Sequence, residues 1–270
     1  FTTALDLKGN LVWQQRLSDY VVHQGYGSSP AIYQNLVICS ADNKGGGAIV
    51  AMNRKTGEIA WRVDRPAKPN YASPASLAVG GKDQLVFTGC DLVTSLDPLT
   101  GKKLWETEGA TTECVTTSVT DGMHVFTSGG YPKNHVSAVV ADGSGKTAWE
   151  VNMRAYVPSM LHRDGFLYMT LDSGIAHCVD CKTGKSIWKA RLGGDFSSSP
   201  VRVGELIYAT NEQGETFIFK ADPEGFEKVG ENKLGESVFA TPTICSGRIY
   251  TRVAHYENGV RQEYVYCIGK

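Results

Sequence analysis

The chain has 270 residues, of which 41% are apolar and 20% charged, a composition typical of a globular protein with an ample core. Its 27 basic residues nearly balance its 28 acidic ones, and the net charge of -1 predicts neither nucleic-acid binding nor a polybasic membrane patch. No apolar run approaches the roughly 18 residues of a membrane-spanning helix, so we expect no transmembrane segment in this chain.

One phrase recurs along the whole chain, and in each copy a glycine precedes a tryptophan by four residues. The tryptophans are about 40 residues apart, a period typical of solenoids and propellers. We therefore predict that these glycines and tryptophans are structural positions of one repeated unit. The pairs are Gly9 with Trp13, Gly57 with Trp61, Gly101 with Trp105, Gly145 with Trp149, and Gly184 with Trp188.

In chain order, residues 1–16 supply only a third and a fourth strand of this unit. The unit at 73–107 is the clearest, because SPASLAV, QLVFTG, VTSLD and KKLWET are typical strands separated by turn residues. Apolar residues nowhere recur at the helical spacing of 3.6, so helices should be scarce. The five full repeats are predicted at 28–63, 73–107, 116–151, 157–190 and 198–234, and a last partial repeat at 239–270.

The turn before each tryptophan strand has a mechanical explanation. An Asp or Asn at its start can accept a hydrogen bond from the N–H two residues on, and the Gly supplies the positive φ that closes the hairpin. Adjacent apolar residues such as Leu104 and Trp105 predict strands buried on both faces, as in stacked sheets. The copy at 198–234 is degenerate, because Val229 replaces its tryptophan. The turn-starting residues are Asp6, Asn53, Asp97, Asp142 and Asp180.

These units predict an all-β fold, a β-propeller of four-stranded antiparallel blades that forms a single domain over residues 1–270. Residues 10–16 could complete the last blade and close a ring of about six blades. A parent protein with seven or eight blades explains better why residues 1–6 lack first and second strands. Because the chain starts at Phe1 rather than Met, we expect a processed chain or a fragment, with any signal peptide or lipid anchor upstream.

Seven cysteines cannot all pair with one another. Cys178 and Cys267 stand where other copies have Ala, and we interpret them as small buried residues. Cys178 and Cys181 form a CxxC, but there is no second copy to complete a zinc site. Cys90 and Cys114 are predicted on one face, where they could form a disulfide, so the redox compartment stays open.

The phrase A/S-L-D-x-x-T-G-K-x-x-W, with Ser-Ser-Pro opening following units, closely resembles the PQQ-like (quinoprotein-type) β-propeller repeat. Residues 51–61, 95–105 and 178–188 match it well, and residues 4–13 and 139–149 match it more loosely. Members of that family include pyrroloquinoline-quinone (PQQ) alcohol dehydrogenases, which hold the quinone and a calcium ion at the ring centre. Others are non-catalytic, such as the outer-membrane β-barrel assembly lipoprotein and the sensor domains of some bacterial kinases. The resemblance implies the fold, but it is compatible with either function, catalytic or non-catalytic.

The dehydrogenases of this family carry an adjacent pair of cysteines against the quinone and a Glu/Asn/Asp set for calcium and base. This chain has no Cys-Cys pair, and no matching acidic motif is found in it. The resemblance is therefore closest in character to non-catalytic members, which predicts a periplasmic or otherwise extracytoplasmic scaffold that binds a protein or a small ligand, without cofactor or metal. A PQQ- and calcium-dependent dehydrogenase is the alternative, and a hydrolase or lyase working from the central channel is a third.

In a propeller, the loops joining strands 2 and 3 share one face with those leading to the next blade, and here these loops are long and varied. This loop face is the candidate binding face, since function concentrates in loops on a rigid scaffold. Aromatic residues precede several first strands, and either packing or a partial ring for a sugar, quinone or peptide explains them. These residues are Tyr26, Tyr71, Tyr156, Phe196 and Phe239, with Arg65, Lys68, Asn70, Glu113, Arg154 and Asp195 near them.

His23, His135 and His255 are predicted on the same face, but three scattered histidines rarely bind one metal ion. The chain has no HExxH, GxSxG or Walker A motif. The glycines 45–47 are interpreted as a flexible loop. The sequence therefore predicts no catalytic residues.

Overall fold

The computed structural model of the protein describes residues 1–19, 22 and 24–269; of the histidines above, His23 falls outside them. Every regular element in these residues is a β-strand, and the strands form seven antiparallel sheets. None of these residues belongs to a helix that is long and apolar enough to cross a membrane. The chain forms two compact units, residues 1–153 and 154–270. A single domain over the whole chain stays a prediction.

The first unit contains four sheets, in which strands consecutive in sequence are hydrogen-bonded neighbours. The first sheet has two strands, and each of the other three has four. The strands are β1 (Thr2–Leu5) and β2 (Leu11–Gln15); β3 (Ala31–Tyr33), β4 (Leu36–Ser40), β5 (Gly47–Asn53) and β6 (Ile59–Arg65); β7 (Ala75–Val79), β8 (Lys82–Gly89), β9 (Leu92–Leu96) and β10 (Lys103–Glu108); and β11 (Val119–Thr120), β12 (His124–Gly129), β13 (His135–Val140) and β14 (Thr147–Val151).

The second unit contains two four-stranded sheets and a three-stranded one, with the same neighbour order. Its last two strands form a long hairpin. The strands are β15 (Leu161–Arg163), β16 (Phe166–Leu171), β17 (Ile175–Asp180) and β18 (Ser186–Arg191); β19 (Val201–Val203), β20 (Leu206–Thr210), β21 (Glu215–Lys220) and β22 (Lys228–Lys233); and β23 (Thr243–Cys245), β24 (Arg248–Glu257) and β25 (Val260–Ile268).

Strands β7 to β10 match the four strands expected within residues 73–107 to within two residues at each end: β7 begins two residues later, at Ala75, and β8 two residues earlier, at Lys82. In the degenerate copy, Ile218 pairs with Gly230 and Phe219 with Lys228, so Val229 lies in a bulge. Its side chain is 52% exposed. The expectation that Val229 replaces the tryptophan is therefore wrong: Gly230 stands at the tryptophan position, because it pairs with Ile218 as Trp188 pairs with Cys178.

The predicted turn mechanism is confirmed. All five turn glycines have positive φ, between 63° and 86°. At four turns the side chain of the Asp or Asn accepts the N–H two residues on at 2.8–3.0 Å, and Asp180 instead accepts the N–H of Thr183 at 2.8 Å. The hairpin is thus closed by a side chain at one end and by glycine backbone freedom at the other.

Tryptophans of the first unit pack on the turn of the next sheet, not on their own. The Trp61 ring lies against Gly101, where an added Cβ would be 2.7 Å from the ring, and its Nε1 donates to the Pro98 carbonyl at 3.2 Å. Trp13 lies against Gly57 in the same way. The repeated glycine is therefore needed twice, for its φ and for its missing side chain.

The remaining contacts of this kind show where the pattern varies. In the second unit, Trp188 Nε1 donates to the Asp222 carbonyl at 2.8 Å, in the turn of the next sheet. Trp105 lies near Gly145 at the ordinary contact distance of 3.4 Å but donates to Gln84 Oε1 at 2.7 Å, in its own sheet. The indole hydrogen bond to the following turn is thus made by Trp13, Trp61 and Trp188, whereas the ring packs on the turn glycine at Trp13, Trp61 and, less closely, Trp105.

Third strands are buried on both faces, as predicted: no side chain from Gly47 to Met52 in β5 is exposed. For the fourth strands the same prediction is wrong, because their outer faces are open to solvent, as at Ile187, which is 44% exposed.

Cys178 is buried, as predicted, and burial raises the pKa of its thiol to about 12. The expectation that Cys267 is buried is wrong, because β25 is the edge strand of a three-stranded sheet. Cys90 and Cys114 are both buried free thiols.

Replacing Gly101 by Ala should destabilise the protein more than replacing Gly81 by Ala. Both glycines have φ near +70°, but only Gly101 has a ring at 2.7 Å, whereas nothing lies within 4 Å of a Cβ at Gly81. We expect Gly81→Ala to cost about 1–2 kcal/mol through backbone strain, and Gly101→Ala to cost about 1–3 kcal/mol more through overpacking. Denaturant unfolding followed by tryptophan fluorescence measures both losses. Equal losses would show that Trp61 does not restrict this turn.

Candidate functional site

Two of the sequence-predicted site residues, Arg65 and Asn70, lie on the loop side of the first unit, and both are buried. Arg65 ends β6, and its Nε and Nη2 each donate to a carboxylate oxygen of Asp42 at 3.3 Å. Its Nη1 donates to Thr94 Oγ1 at 3.0 Å and its Nη2 to the Gly89 carbonyl at 3.1 Å. The guanidinium therefore joins the sheet β3–β6 to the sheet β7–β10.

Asn70 extends this polar network. Its Nδ2 donates to Asp42 Oδ2 at 3.0 Å and to the Thr88 carbonyl at 2.8 Å. Its Oδ1 accepts the N–H of Cys114 at 2.9 Å, in the segment that leads into the sheet β11–β14. Three consecutive sheets are thus connected through buried hydrogen bonds on this side.

The ion pair at the centre of the network is almost completely withdrawn from water. The side chains of Arg65 and Asp42 are 2% and 1% exposed. Burial by itself lowers the pKa of Arg65, but the charge and hydrogen bonds of Asp42 more than offset this, and the net shift is upward. A buried charge of this kind is costly unless its partner stays in place. The network therefore holds the loops in position.

Asp42 was not singled out from the sequence, because it stands in an ordinary Ala-Asp-Asn-Lys-Gly stretch. A signal for it was present in the glycines that follow. Gly47 lies in β5, and a Cβ there would be 2.7 Å from Asp42 Oδ1. Asn43 organises the intervening turn, accepting the N–H of Gly45 at 2.8 Å. Gly47 thus makes room for a buried carboxylate, which the interpretation of glycines 45–47 as a flexible loop missed.

A cavity of about 630 Å³ lies beside this network, still within the first unit. Its lining comes both from loops between second and third strands and from loops leading to the next sheet, so the two loop types share one side as expected. Three of its ionisable lining residues are acidic and two are lysines. The principal polar lining residues are Lys68, Asp91, Glu108, Lys133, His135 and Glu150.

The hairpin tip between β8 and β9 forms part of this cavity wall. Cys90 and Asp91 both have positive φ, 58° and 67°, which is unusual for residues other than glycine. Asp91 accepts hydrogen bonds from Lys68 and, at 2.6 Å, from Thr112 Oγ1. Partial burial would raise the pKa of Asp91, but these two donors hold it below its usual value. The side-chain contacts thus fix a strained tip.

His135 begins β13 and lines the same cavity. It is buried, and neither ring nitrogen has a hydrogen-bond partner. Burial lowers the pKa of His135 to about 4, so the ring is neutral near pH 7. Since it bonds to no carboxylate, it does not form the acid–base pair that a hydrolase or lyase would need at this position.

The other predicted residues of the first unit differ in exposure. Tyr71 is buried, and its N–H donates to the Cys114 carbonyl at 3.0 Å. Tyr26 is 46% exposed. Glu113 is half-buried and forms an isolated β-bridge with Tyr131, which is 56% exposed. A shared binding role for Tyr26, Tyr71 and Glu113 stays a prediction.

The predicted residues of the second unit also separate into packed and exposed groups. Phe196 is buried, with its ring centroid 6.3 Å from that of Phe217. Arg154 lies over the Tyr156 ring, 5.7 Å from its centroid, and both precede β15. Asp195 is exposed and uses its carbonyl to accept the N–H of Glu212 at 2.8 Å. Phe196 thus serves packing, whereas Arg154 and Tyr156 form a contact that a partner could reach. Their binding roles stay a prediction.

Exposed Phe239, the remaining aromatic of the predicted set, lies in a cation–π contact with Arg261, 5.7 Å from its ring centroid. His255, predicted on the loop face, bonds through Nε2 to Tyr266 Oη at 2.9 Å. Each of these residues therefore has a local partner in the last sheet.

The described residues include no group of three or more His, Cys, Asp or Glu side chains placed to hold a metal ion. Asp121 and His124 form a carboxylate–histidine pair at 2.9 Å. That pair closes the turn between β11 and β12, where Asp121 also accepts two backbone N–H groups, so its role is structural.

The repeated turn phrase, the seven sheets and the tryptophan contacts define the class of the protein: it is an all-β propeller built from PQQ-like repeats, with about seven blades. The family model described as "Outer membrane protein assembly factor BamB" matches residues 2–190 and 132–225. The chain therefore belongs to this family.

Individual relatives agree with this placement. BamB from Yersinia pestis is 23% identical over 206 residues, which cover 67% of this chain and 51% of that protein. Quinoprotein alcohol dehydrogenase PedH from Pseudomonas putida is 30% identical over 112 residues, covering 37% of this chain and 19% of the enzyme. The chain thus spans about half, or less, of the length of these curated relatives.

Solved structures support the fold. The crystal structure of BamB from Moraxella catarrhalis matches with a TM-score of 0.50 and 14% identity, covering 91% of this chain and 86% of that one. The computationally designed protein Ika8 matches with a TM-score of 0.62 and 11% identity, covering 96% of this chain and 75% of that one. At these identities the likeness shows the fold alone.

Replacing Asp42 by Ala should be strongly destabilising, because it leaves the Arg65 charge buried without its partner. We expect a loss of about 3–5 kcal/mol in the free energy of unfolding. Asp64→Ala is the matched control, since the Arg62–Asp64 pair at 3.2 Å is exposed to water, and it should cost at most about 1 kcal/mol. Denaturant unfolding measures both, and equal small losses would contradict a structural role for the network.

His135 should make stability fall in mild acid. Its folded-state pKa of about 4 lies below the ordinary value of about 6.5, so the unfolded state binds a proton first as pH falls. The contribution of neutral His135 to the free energy of unfolding is fully present above pH 6.5, and it is lost as the pH falls from 6.5 to 4. Between pH 7 and 4.5, the wild-type protein should lose about 2–3 kcal/mol more stability than the His135→Leu variant. Parallel curves in denaturant unfolding would show that His135 titrates normally.

Proposed function

We propose that this chain is a non-catalytic scaffold that binds a protein partner on the loop side of its first unit, around the 630 Å³ cavity. The observation that carries the proposal is that two predicted site residues have a structural role. Arg65 and Asn70 form buried hydrogen bonds that connect three sheets. Their side chains therefore hold loops in position rather than react with a substrate.

A rigid frame with variable loops suits protein binding, because less conformational entropy is lost when a partner binds. The tip at Cys90 and Asp91 is anchored by Lys68 and Thr112, and Glu113 is bridged to Tyr131. These contacts present the cavity rim in one conformation.

The cavity rim also has the mixed character of a protein-binding surface. Glu108, Lys133 and Glu150 are exposed charged residues that line it. Tyr131, which directly precedes the lining residue Pro132, adds an exposed aromatic side chain. Tyrosine is among the residues that contribute most binding energy at interfaces, while rim charges select the partner and its orientation.

The family suggests the setting of this activity. Its model and the Yersinia pestis relative are both described as outer membrane protein assembly factor BamB. We therefore propose that the chain works outside the cytoplasm, in the assembly of outer membrane proteins. The family match supports this placement, and the cavity offers a surface through which it could act. On this proposal the protein requires no cofactor.

The similarity to a quinoprotein alcohol dehydrogenase supports a second candidate, oxidation of an alcohol with PQQ and calcium. The similar segment covers only 19% of that enzyme. An assay with PQQ, Ca²⁺, an alcohol or sugar and an artificial electron acceptor tests it directly. Quinone-dependent turnover would favour the dehydrogenase and count against the scaffold.

Site-specific photo-cross-linking in the cells that make the protein tests the scaffold. A photoreactive amino acid at Tyr131 should yield an adduct with one defined protein, since this side chain is exposed beside the cavity. Leu99, which is 46% exposed in a turn on the opposite side of the same unit, is the matched control and should yield none.

Charge reversal provides the second arm of this experiment. Glu108→Lys should reduce the Tyr131 adduct several-fold without changing the melting temperature, because it alters the sign of an exposed rim charge. Lys102→Glu, at an exposed residue of the opposite turn, should leave the adduct unchanged. Adducts formed at Leu99 rather than at Tyr131 would place the binding surface on the turn side and contradict the proposal.

A further inference from the structure

The cavity of the first unit is lined by a buried histidine whose ring forms no hydrogen bond to any described residue. His135 is 2% exposed, and both Nδ1 and Nε2 lack a partner. Buried polar atoms are almost always paired, so an unpaired imidazole in the wall of a cavity of about 630 Å³ indicates an occupant that supplies the missing hydrogen bonds. The volume lies within the range of about 300–1,000 Å³ that is typical of ligand sites.

The charges that line this cavity do not all cancel. Lys68 and Asp91 form an ion pair, so together they add no net charge. Glu108, Glu150 and Lys133 also line the cavity and are exposed, and within the part of the chain that the structure describes none of them belongs to an ion pair. Two unpaired carboxylates therefore stand against one unpaired ammonium group, while the neutral imidazole adds no charge. The excess of negative charge favours a cationic occupant.

One short backbone segment connects a carboxylate with the imidazole. A Cβ at Gly109 would be 3.7 Å from Glu150 Oε2. A Cβ at Gly129 would clash with Thr111 Oγ1 and lie 2.9 Å from His135 Cε1. Gly109 and Thr111 are two residues apart, so at most about 7 Å separates their Cα atoms. The exposed carboxylate and the buried imidazole thus lie beside opposite ends of a stretch of cavity wall about as long as one extended side chain.

A guanidinium group fits these acceptors better than an ammonium group does. It is planar, has five N–H donors in a fixed fork, and is less strongly hydrated. One edge can donate to a carboxylate while another N–H donates to the unprotonated nitrogen of a neutral imidazole.

The second ring nitrogen of the histidine indicates that the guanidinium belongs to a polypeptide. A neutral imidazole carries one N–H donor as well as one acceptor, and a guanidinium has no acceptor to offer it. A backbone carbonyl next to an arginine supplies that acceptor. One arginine residue within a chain therefore satisfies both ring nitrogens of His135.

We propose that the protein partner inserts an arginine side chain into this cavity, where its guanidinium donates hydrogen bonds to Glu108 and Glu150 at the mouth and to His135 inside. This inference rests on the scaffold function proposed above and specifies the chemistry of the partner segment. Lys133 repels a second positive charge at the same mouth, so the segment carries a single arginine rather than a basic cluster.

Short capped peptides test the site without the partner. The peptide Ac-Gly-Arg-Gly-NH2 should bind the intact protein saturably and shift the amide resonances of residues 109–111 and 133–135 in NMR. Its citrulline analogue has nearly the same shape without the charge, and it should bind at least about tenfold more weakly because the charge-assisted hydrogen bonds are lost. The lysine analogue should bind several-fold more weakly, since an ammonium group lacks the planar fork of donors.

The ring nitrogens of His135 report whether the guanidinium reaches them. Adding the arginine peptide should shift the nitrogen-15 resonance of the unprotonated ring nitrogen, because that nitrogen becomes a hydrogen-bond acceptor. The alanine peptide Ac-Gly-Ala-Gly-NH2 should leave the resonance unchanged. A purely structural role of His135 predicts no shift with either peptide, and that result overturns the proposal.

Protein variants test the charges with opposite signs. Glu150→Gln should weaken binding of the arginine peptide several-fold, whereas Lys133→Glu should strengthen it several-fold, because it replaces the repelling cation by a third carboxylate. Glu58→Gln, at an exposed residue of a turn in the same unit, is the matched control and should leave the affinity unchanged. Melting curves check that the variants fold, and the peptide series on the unchanged protein decides for any variant that does not. Equal affinity of the arginine and citrulline peptides overturns the proposal.

The photo-cross-linked adduct at Tyr131 separates this inference from the scaffold function. Mass spectrometry should find an arginine in the cross-linked segment of the partner, and replacing that arginine by Ala should reduce the adduct several-fold. An adduct whose segment has no arginine, together with no binding of the arginine peptide, overturns the inference and leaves the scaffold function in place. Peptide binding without any adduct supports the arginine site and counts against the scaffold function.

Discussion

The structure depends on the contact between a tryptophan of one sheet and the turn glycine of the next. Trp61 and Gly101 show it most clearly, since the ring occupies the space that any side chain at Gly101 would need. The same glycine has the positive φ that closes its own hairpin. One residue thus links local turn geometry to packing between sheets, which explains why the phrase recurs with fixed spacing.

The two sides of the first unit are held by different kinds of contact. The turn side is constrained by glycine, tryptophan and the Asp or Asn that accepts backbone N–H groups. On the loop side, the constraint comes from a different source, the buried pair of Asp42 and Arg65 with Asn70. The residues exposed around the cavity, such as Glu108 and Lys133, belong to neither set of contacts.

The sequence was sufficient for the parts of the structure that repeat. The hairpin turns, the strands of residues 73–107 and the burial of Cys178 follow from local chemistry that each copy shows again. The burial of Arg65 and Asn70 could not be predicted, because it depends on Asp42, more than 20 residues away and without a motif of its own. Cys267 shows the same limit: its place in the phrase predicts burial, but the strand that would cover it is not among its neighbours in the sheet. Repetition reveals local structure, whereas unique contacts between loops require the fold.

Hydrogen exchange of the Trp61→Ala variant, followed by mass spectrometry, tests the central claim most directly. If the tryptophan holds the next sheet, amides of residues 97–102 should lose protection first, although they lie about 40 residues from the substitution. The loop residues 66–70 and 131–134 should keep their wild-type exchange, since Asn70 is held by the network of Asp42 and Arg65 and Tyr131 is bridged to Glu113. Loss of protection confined to β3–β6, with the following turn unchanged, would contradict the account.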